Sequence, residues 1–269
     1  MKIVSFNVNG VRSRLHQIKA VIDRYVPDLI ALQETKCVDD AFPVKDIAEM
    51  GYHSEIFGQK GYHGVAILSQ KAPKKIQKGF STDDENSQKR FISVEYDFIG
   101  KQKFTFMNGY FPQGESRNHP EKFPCKRKFY ADLLELLKNK YKPSDNLLIV
   151  GDMNVAPNDK DIGIGEQNAK RWLKTGKCSF LPEEREWVQA LEDWGTIDLY
   201  RTMYPDSTKL SWFDYRSGGF ESDPKHGLRI DLLLGTKSML DSCVRIEIDH
   251  EIRGMEKPSD HCPVIAEFE

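Results

Sequence analysis

Cysteine is scarce in this 269-residue chain, and the five present, Cys37, Cys125, Cys178, Cys243 and Cys262, lie far apart. Odd in number and without paired short spacings, they exclude a disulfide framework and a cysteine-based zinc site and read as reduced structural thiols. Long apolar runs are missing as well. No stretch approaches the ~18 residues of a membrane span, and the opening MKIVSFN is interrupted too soon for a signal peptide. A cytoplasmic protein with no membrane contact is expected. Neither sign of charge dominates: 39 Lys and Arg stand against 41 Asp and Glu for a net of −2, which argues against a strongly basic nucleic-acid binder. Walker loops, GxGxxG turns after a strand, HExxH and nucleophilic serine or cysteine motifs are also absent. Repeats, low-complexity tracts and Ser/Gly/Pro linkers are lacking too, so residues 1–269 are expected to form one domain.

What is there is ordinary globular material, 39% hydrophobic and 30% charged, which excludes disorder. Strand-like runs recur at 3–6, 29–32, 64–68, 91–96, 104–107, 147–150, 230–234 and 264–268. Leu15, Ile18, Ile22 and Tyr25 keep helical spacing up to Pro27, and Phe129, Leu133, Leu136 and Leu137 repeat it. A third helix is predicted from Pro182, with Trp187, Leu191 and Trp194 on one face and Gly195 as its stop. Some strands follow each other through short turns and others flank a helix. Mixed sheets covered by helices, an α/β fold, follow from that alternation.

Charge is distributed less evenly than its total suggests. Between Arg117 and Lys142 eight basic residues meet three acidic ones, and residues 170–177 hold four bases and no acid. Such runs are commonly solvated helix faces, but they also suit a polyanion.

Polar residues gather where strands end, the usual place for site residues on a rigid scaffold. Asn7 and Asn9 close "SFNVNG", and Glu34 in "LQETK" lies just beyond an apolar run, where an ionised carboxylate needs a partner or a cation. "GDMN" ends another run, and in extended chain Asp152 and Asn154 would point the same way. Asp231 is the lone acid of "LRIDLLLG", and "PSDHCPV" holds Asp260 beside His261. Adjacent extended residues face opposite ways, so His261 needs an acid from elsewhere, and Asp231 is the candidate. Carboxylates, amides and one imidazole form a hard donor set suited to Mg²⁺ or Mn²⁺, and such sites serve phosphate-ester chemistry.

In their order along the whole chain, "VSFNVNG", "LQETK", "GQKGYHGVA", "NGYFPQGESR", "GDMNVAP", "KTGKCSFLPEEREW", "SWFDYR", "GLRIDLLL" and "MEKPSDHCPV" closely resemble the blocks of the exodeoxyribonuclease III family, the bacterial abasic-site endonucleases of the exonuclease-endonuclease-phosphatase superfamily. The resemblance implies a four-layered α/β sandwich of two mixed β-sheets flanked by helices. It implies Glu34 as principal metal ligand with Asn7 and Asp260 close by, and Asp152 as the group that orients or deprotonates the attacking water. Asn154 would support Asp152, bind phosphate and stand near the metal as Asp152 does. Tyr110 would be the active-site tyrosine, and Asp231 and His261 the Asp-His pair. Trp212, Phe213 and Leu228 would wall a pocket for a flipped-out sugar lacking its base, which is cheap to unstack. Arg90, Gln113, Lys122 and Arg171 would contact phosphates and Tyr62 would line the groove. The implied activity is Mg²⁺-dependent incision 5′ to abasic sites in double-stranded DNA by a monomer, with 3′-to-5′ exonuclease action and removal of 3′ blocking groups. Rival readings are a phosphodiesterase for lipid or inositol phosphates, which would keep "GDMN" and "SDH" but not "SWFDYR", and a DNA-binding module without chemistry.

Overall fold

The computed structural model describes residues 1–97 and 103–269. Among them run twelve strands: β1 (Lys2–Asn7), β2 (Leu29–Gln33), β3 (His53–Phe57), β4 (Val65–Ser69), β5 (Lys75–Lys78), β6 (Phe91–Asp97), β7 (Lys103–Tyr110), β8 (Asn146–Asp152), β9 (Ile197–Asp198), β10 (Asp231–Gly235), β11 (Cys243–Ile248) and β12 (Val264–Phe268). They make two six-stranded sheets, ordered β11-β12-β1-β2-β4-β3 and β5-β6-β7-β8-β10-β9. Both sheets are mixed in the same way. The two middle strands are parallel, β1 with β2 and β7 with β8, and every other neighbour is antiparallel.

Side chains alternate across each strand, so one set of residues meets the opposite sheet and the next set meets helices. Ile3, Ala31 and Ile67 face Val94, Phe106 and Val150 between the sheets. Val4, Phe6, Ile30 and Leu32 pack outward on Ile18, Val21 and Ile22 of α1 (Leu15–Tyr25) and on Ile47 of α2 (Val44–Glu49). On the far side Met107, Ile149, Leu232 and Leu234 meet Phe129, Leu133 and Leu137 of α3 (Lys122–Lys140). After α4 (Glu166–Thr175), α5 (Pro182–Trp194) adds Val188 and Leu191 to that cluster. Helix, sheet, sheet and helix give the four layers that the resemblance implied.

The predicted helix ends hold where their cause is local. α1 stops as Val26 turns left-handed before Pro27, and α5 runs from Pro182 to a stop at Gly195, φ 129°. At Gly151 (φ 144°), paired with Gly109 across β7 and β8, a Cβ would lie 1.9 Å from the Gly109 carbonyl oxygen. Only glycine lets these central strands approach so closely just before the acidic end of β8.

Candidate active site

The carboxyl ends of both parallel pairs point at one spot. Asn7 ends β1, Glu34 follows β2, Tyr110 ends β7, and Asp152 ends β8 opposite Asp231 at the start of β10. Three residues here leave their strands in the left-handed region without being glycine: Asn9 (φ 45°), Glu34 (φ 52°) and Asn154 (φ 53°). Asparagine tolerates that region and glutamate less so, and such strain gathers at functional sites because the surroundings must hold it.

Asn7 is the hinge of the cluster, its Nδ2 donating to Glu34 Oε1 and to Asp152 Oδ2, each at 3.0 Å. Lys36 Nζ lies 2.8 Å from the other Glu34 oxygen and also donates to Asn9 Oδ1. Asn9 in turn donates to Asp260 Oδ1 at 2.8 Å, and the Trp212 indole donates to Asp260 Oδ2 at 3.0 Å. His261 Nδ1 lies 3.0 Å from both oxygens of Asp231, and its Nε2 lies 3.7 Å from Asp152 Oδ2. The imidazole is thus oriented by an acid remote in sequence, leaving the second nitrogen toward Asp152. Ser211, which the sequence reading did not single out, locks that acid: its hydroxyl donates to Asp231 Oδ2 at 2.6 Å and accepts from the Ile230 and Asp231 amides. Its signal was its place at the head of "SWFDYR".

Charge balance follows from this geometry. Burial opposes ionisation of Glu34, but Lys36 and the Asn7 amide outweigh it and hold the carboxyl below its usual value. At Asp152 burial wins, helped by Asp231 and Glu34 against His261, and the carboxyl is pushed up to about 7. Burial opposes charge on His261 too, yet Asp231 and Asp152 lift the imidazole to about 10. Burial, with Glu34 beside it, drives the Tyr110 phenol well above its usual range, so it stays a donor.

Oxygen atoms of Glu34 and Asp152 and a nitrogen of His261 all lie within 4.8 Å of one another. With Asp231 and Asp260 that is four carboxylates facing two cations, Lys36 and His261, in a largely buried space. Such an excess of negative charge, presented by hard oxygen donors, fits a divalent cation. Asp260 stands outside that close trio, its two oxygens taken by Asn9 and Trp212.

The remaining sequence expectations divide. Asp152 and Asn154 are not two residues of one extended strand: the chain turns at Asn154, whose amide donates to Asp152 Oδ1 at 3.0 Å, an Asx turn that brings them together instead. Phe213 is 0% exposed in the core between the sheets, edge-on to Phe220 and His250, while its neighbour Trp212 is half-buried beside Asp260. Leu228 is buried, bridged to Trp212 by backbone bonds in both directions. Beneath it Arg229, fully buried, binds Asp161 and Asp198 with 2.6 Å contacts and fixes the loop before β10. Arg90 is only 8% exposed, stacked 4.5 Å over the Tyr110 ring and bonded to the Tyr110 carbonyl, so it braces the tyrosine instead of facing a groove. Gln113 accepts from the Glu115 amide, Lys122 pairs with Glu115 at 2.5 Å, and Arg171 is exposed on α4. Tyr62 is 72% exposed, reaching the site through His63, whose ring is 6.1 Å from that of Tyr110.

Known proteins are similar to this chain over its full length. A chain described as exodeoxyribonuclease III from Haemophilus influenzae is 53% identical, covering 100% of both sequences, and an exodeoxyribonuclease of Bacillus subtilis is 28% identical over 98% of each. Among solved structures, a Neisseria 3′ phosphatase bound to a product DNA hairpin superposes with a TM-score of 0.89 at 34% identity, covering 100% of this chain and 99% of that one. An AP endonuclease from Archaeoglobus fulgidus gives 0.89 at 32% with the same coverage. Since the profile of the Endonuclease/Exonuclease/phosphatase family also matches residues 4–261, this chain belongs to that family.

Proposed function

We propose that this phosphodiester hydrolase is a DNA repair nuclease that incises the 5′ side of abasic sites in duplex DNA. The same centre would degrade 3′ ends exonucleolytically and remove 3′-phosphates and other blocking groups. One observation carries the reading: Glu34, Asp152 and His261 converge at the ends of both parallel strand pairs, with Asp231 behind the imidazole. Full-length likeness to exodeoxyribonuclease III of Haemophilus influenzae supports the same conclusion.

Glu34 and Asn7 would hold Mg²⁺, or Mn²⁺ in its place, with Asp152, Asn154 and Asp260 bordering it. A bound cation supplies positive charge that neutralises phosphate oxygens. Asp152, its pKa raised to about 7, is matched to take a proton from the attacking water near neutral pH. His261, held cationic, donates toward the charge that builds on phosphorus-bound oxygen, and the un-ionised Tyr110 hydroxyl adds a second donor. Asn154 donates to the Phe111 carbonyl at 3.0 Å, which fixes its amide beside Asp152. Trp212 would supply an apolar wall suited to a sugar without a base, with the buried Leu228 packed behind it. We further infer that residues 1–269 act as one domain, as a cytoplasmic monomer. Five free thiols suit a reducing compartment, and among the described residues no helix is long and apolar enough to cross a membrane.

Incision of a labelled duplex bearing one abasic analogue, beside an intact control and with Mg²⁺ or EDTA, tests this. Mg²⁺-dependent cleavage 5′ to the lesion is expected. No cleavage of either DNA by folded protein with Mg²⁺ or Mn²⁺ would redirect the assignment to another phosphoester, such as an inositol phosphate.

A further inference from the structure

Of the six basic residues on α3, five are exposed and Lys126 is buried, with a side chain 0% exposed. Its ammonium has three protons and three acceptors: Glu184 Oε1 at 2.5 Å, the Asn154 carbonyl at 2.9 Å and the Gln113 carbonyl at 3.2 Å. Glu184 is equally buried, and its second oxygen accepts from the Ser179 and Leu181 amides at 2.9 and 2.8 Å. One ion pair therefore joins α3, the loop after β7, the loop after β8 and the entry to α5. The lysine stem runs past Gly114 (φ 86°), where a Cβ would stand 3.0 Å from Lys126 Cδ and 2.9 Å from Cys178 Sγ.

A fully buried ion pair is a poor device for stability alone, because desolvating both charges offsets most of their attraction and apolar replacements of similar volume often do as well. What an apolar pair cannot do is grip two carbonyls. One of them belongs to Asn154, which sits in the left-handed region at φ 53° and needs its surroundings to keep it there. The Asn154 amide and the Asp152 carboxylate are tied by the 3.0 Å Asx bond, so a shift of this peptide moves both.

We infer that Lys126, paired with Glu184, is a positioning residue for hydrolysis: through the Asn154 carbonyl it holds the turn after β8 so that Asn154 and Asp152 keep their places. This rests on the roles proposed above for those two residues. The test is the volume-conserving pair Lys126→Met with Glu184→Gln, which keeps an acceptor for Ser179 and Leu181, assayed on an abasic duplex with Mg²⁺. A cooperative melt and circular dichroism establish that the variant is folded. The expected result is a kcat lowered about tenfold to a hundredfold with KM within about twofold. Added to Asn154→Ala, the same two changes should lower kcat by less than they do alone, since the part of their effect that runs through the Asn154 side chain is already lost while the part that runs through Asp152 remains. A folded double variant with wild-type kcat beside an impaired Asn154→Ala overturns the inference alone, as does a full additional loss on top of Asn154→Ala. A wild-type rate for Asn154→Ala removes the role of Asn154 and this inference with it. Should the double variant not fold, Lys126→Gln, which keeps a donor for Glu184 but cannot serve both carbonyls as well, carries the same comparison.

Discussion

At the scale of single residues, Asp152 carries the sharpest expectations. Asp152→Asn keeps the size and the Asx turn but removes the base, so turnover should fall by about a thousandfold or more while DNA binding survives. Single-turnover kinetics beside a binding titration check both halves. The raised carboxyl also gives a pH sign. A folded-state value near 7 against an ordinary value near 3.8 means that ionising Asp152 disfavours the folded state progressively between those two pH values and fully above 7. A divalent cation relieves this, so the rise in melting temperature on adding Mg²⁺ should be larger at pH 8 than at pH 5.5. Glu34→Gln should reduce it at both. Equal shifts at the two pH values would separate Asp152 from the cation. His261 works in the opposite sense: raised to about 10, it favours folding below its ordinary 6.5, and this is lost as pH rises through 10. Residue types at strand ends were legible because buried carboxylates and amides are costly and therefore conspicuous. Their partners were legible only where parity helped. Opposite facing of neighbours separated His261 from Asp260, and the same rule divides Trp212 from Phe213. Trp212→Ala should accordingly erode the preference for abasic over intact duplex, measured as a ratio of kcat/KM, more than it lowers cleavage of intact DNA.

Whole elements show the same division between what sequence reveals and what packing decides. All the strands expected from sequence are present, and four others, β3, β5, β9 and β11, are not apparent in it. These four are the edges of the two sheets. Inner strands are covered on both faces and so read as unbroken apolar runs such as LIALQ and DLLLG, whereas edges such as KIQK are polar or very short, which also discourages pairing with other chains. The basic run at 117–142 likewise changes meaning once α3 is in place. Arg117 binds Glu183, Lys122 binds Glu115, Lys126 is interior and Lys128 binds Asp132. Where the middle strands of the second sheet touch, Gly151→Ala should cost about 3 kcal/mol, since its Cβ would overlap the Gly109 carbonyl and the strands can separate only by breaking the ladder. Urea unfolding measures it, and a loss below about 0.5 kcal/mol, the size of an ordinary surface change, would show that the strands can slide apart.

Across the whole molecule the net charge of −2 means that any grip on DNA must come from local fields. Binding of an abasic duplex should weaken linearly in log affinity against log salt, and Arg171→Ala should flatten that slope by about 0.9 if its guanidinium meets a phosphate. An unchanged slope would take α4 out of the interface. The centre itself draws on Asn7 near one end of the sequence and His261 near the other, and they meet because β12 pairs with β1 inside one sheet. Ser259, just before β12, even donates to the Asn7 carbonyl at 2.6 Å. A growing polypeptide therefore passes through synthesis with Asn7, Glu34, Asp152 and Asp231 in hand but no imidazole, and with β1 paired on β2 alone. Truncated products of stalled translation should be silent toward DNA, and a chain ending at residue 255 should show no cleavage. The pairing of β1 with β12 makes arrival of the segment that carries His261 the step that closes the centre.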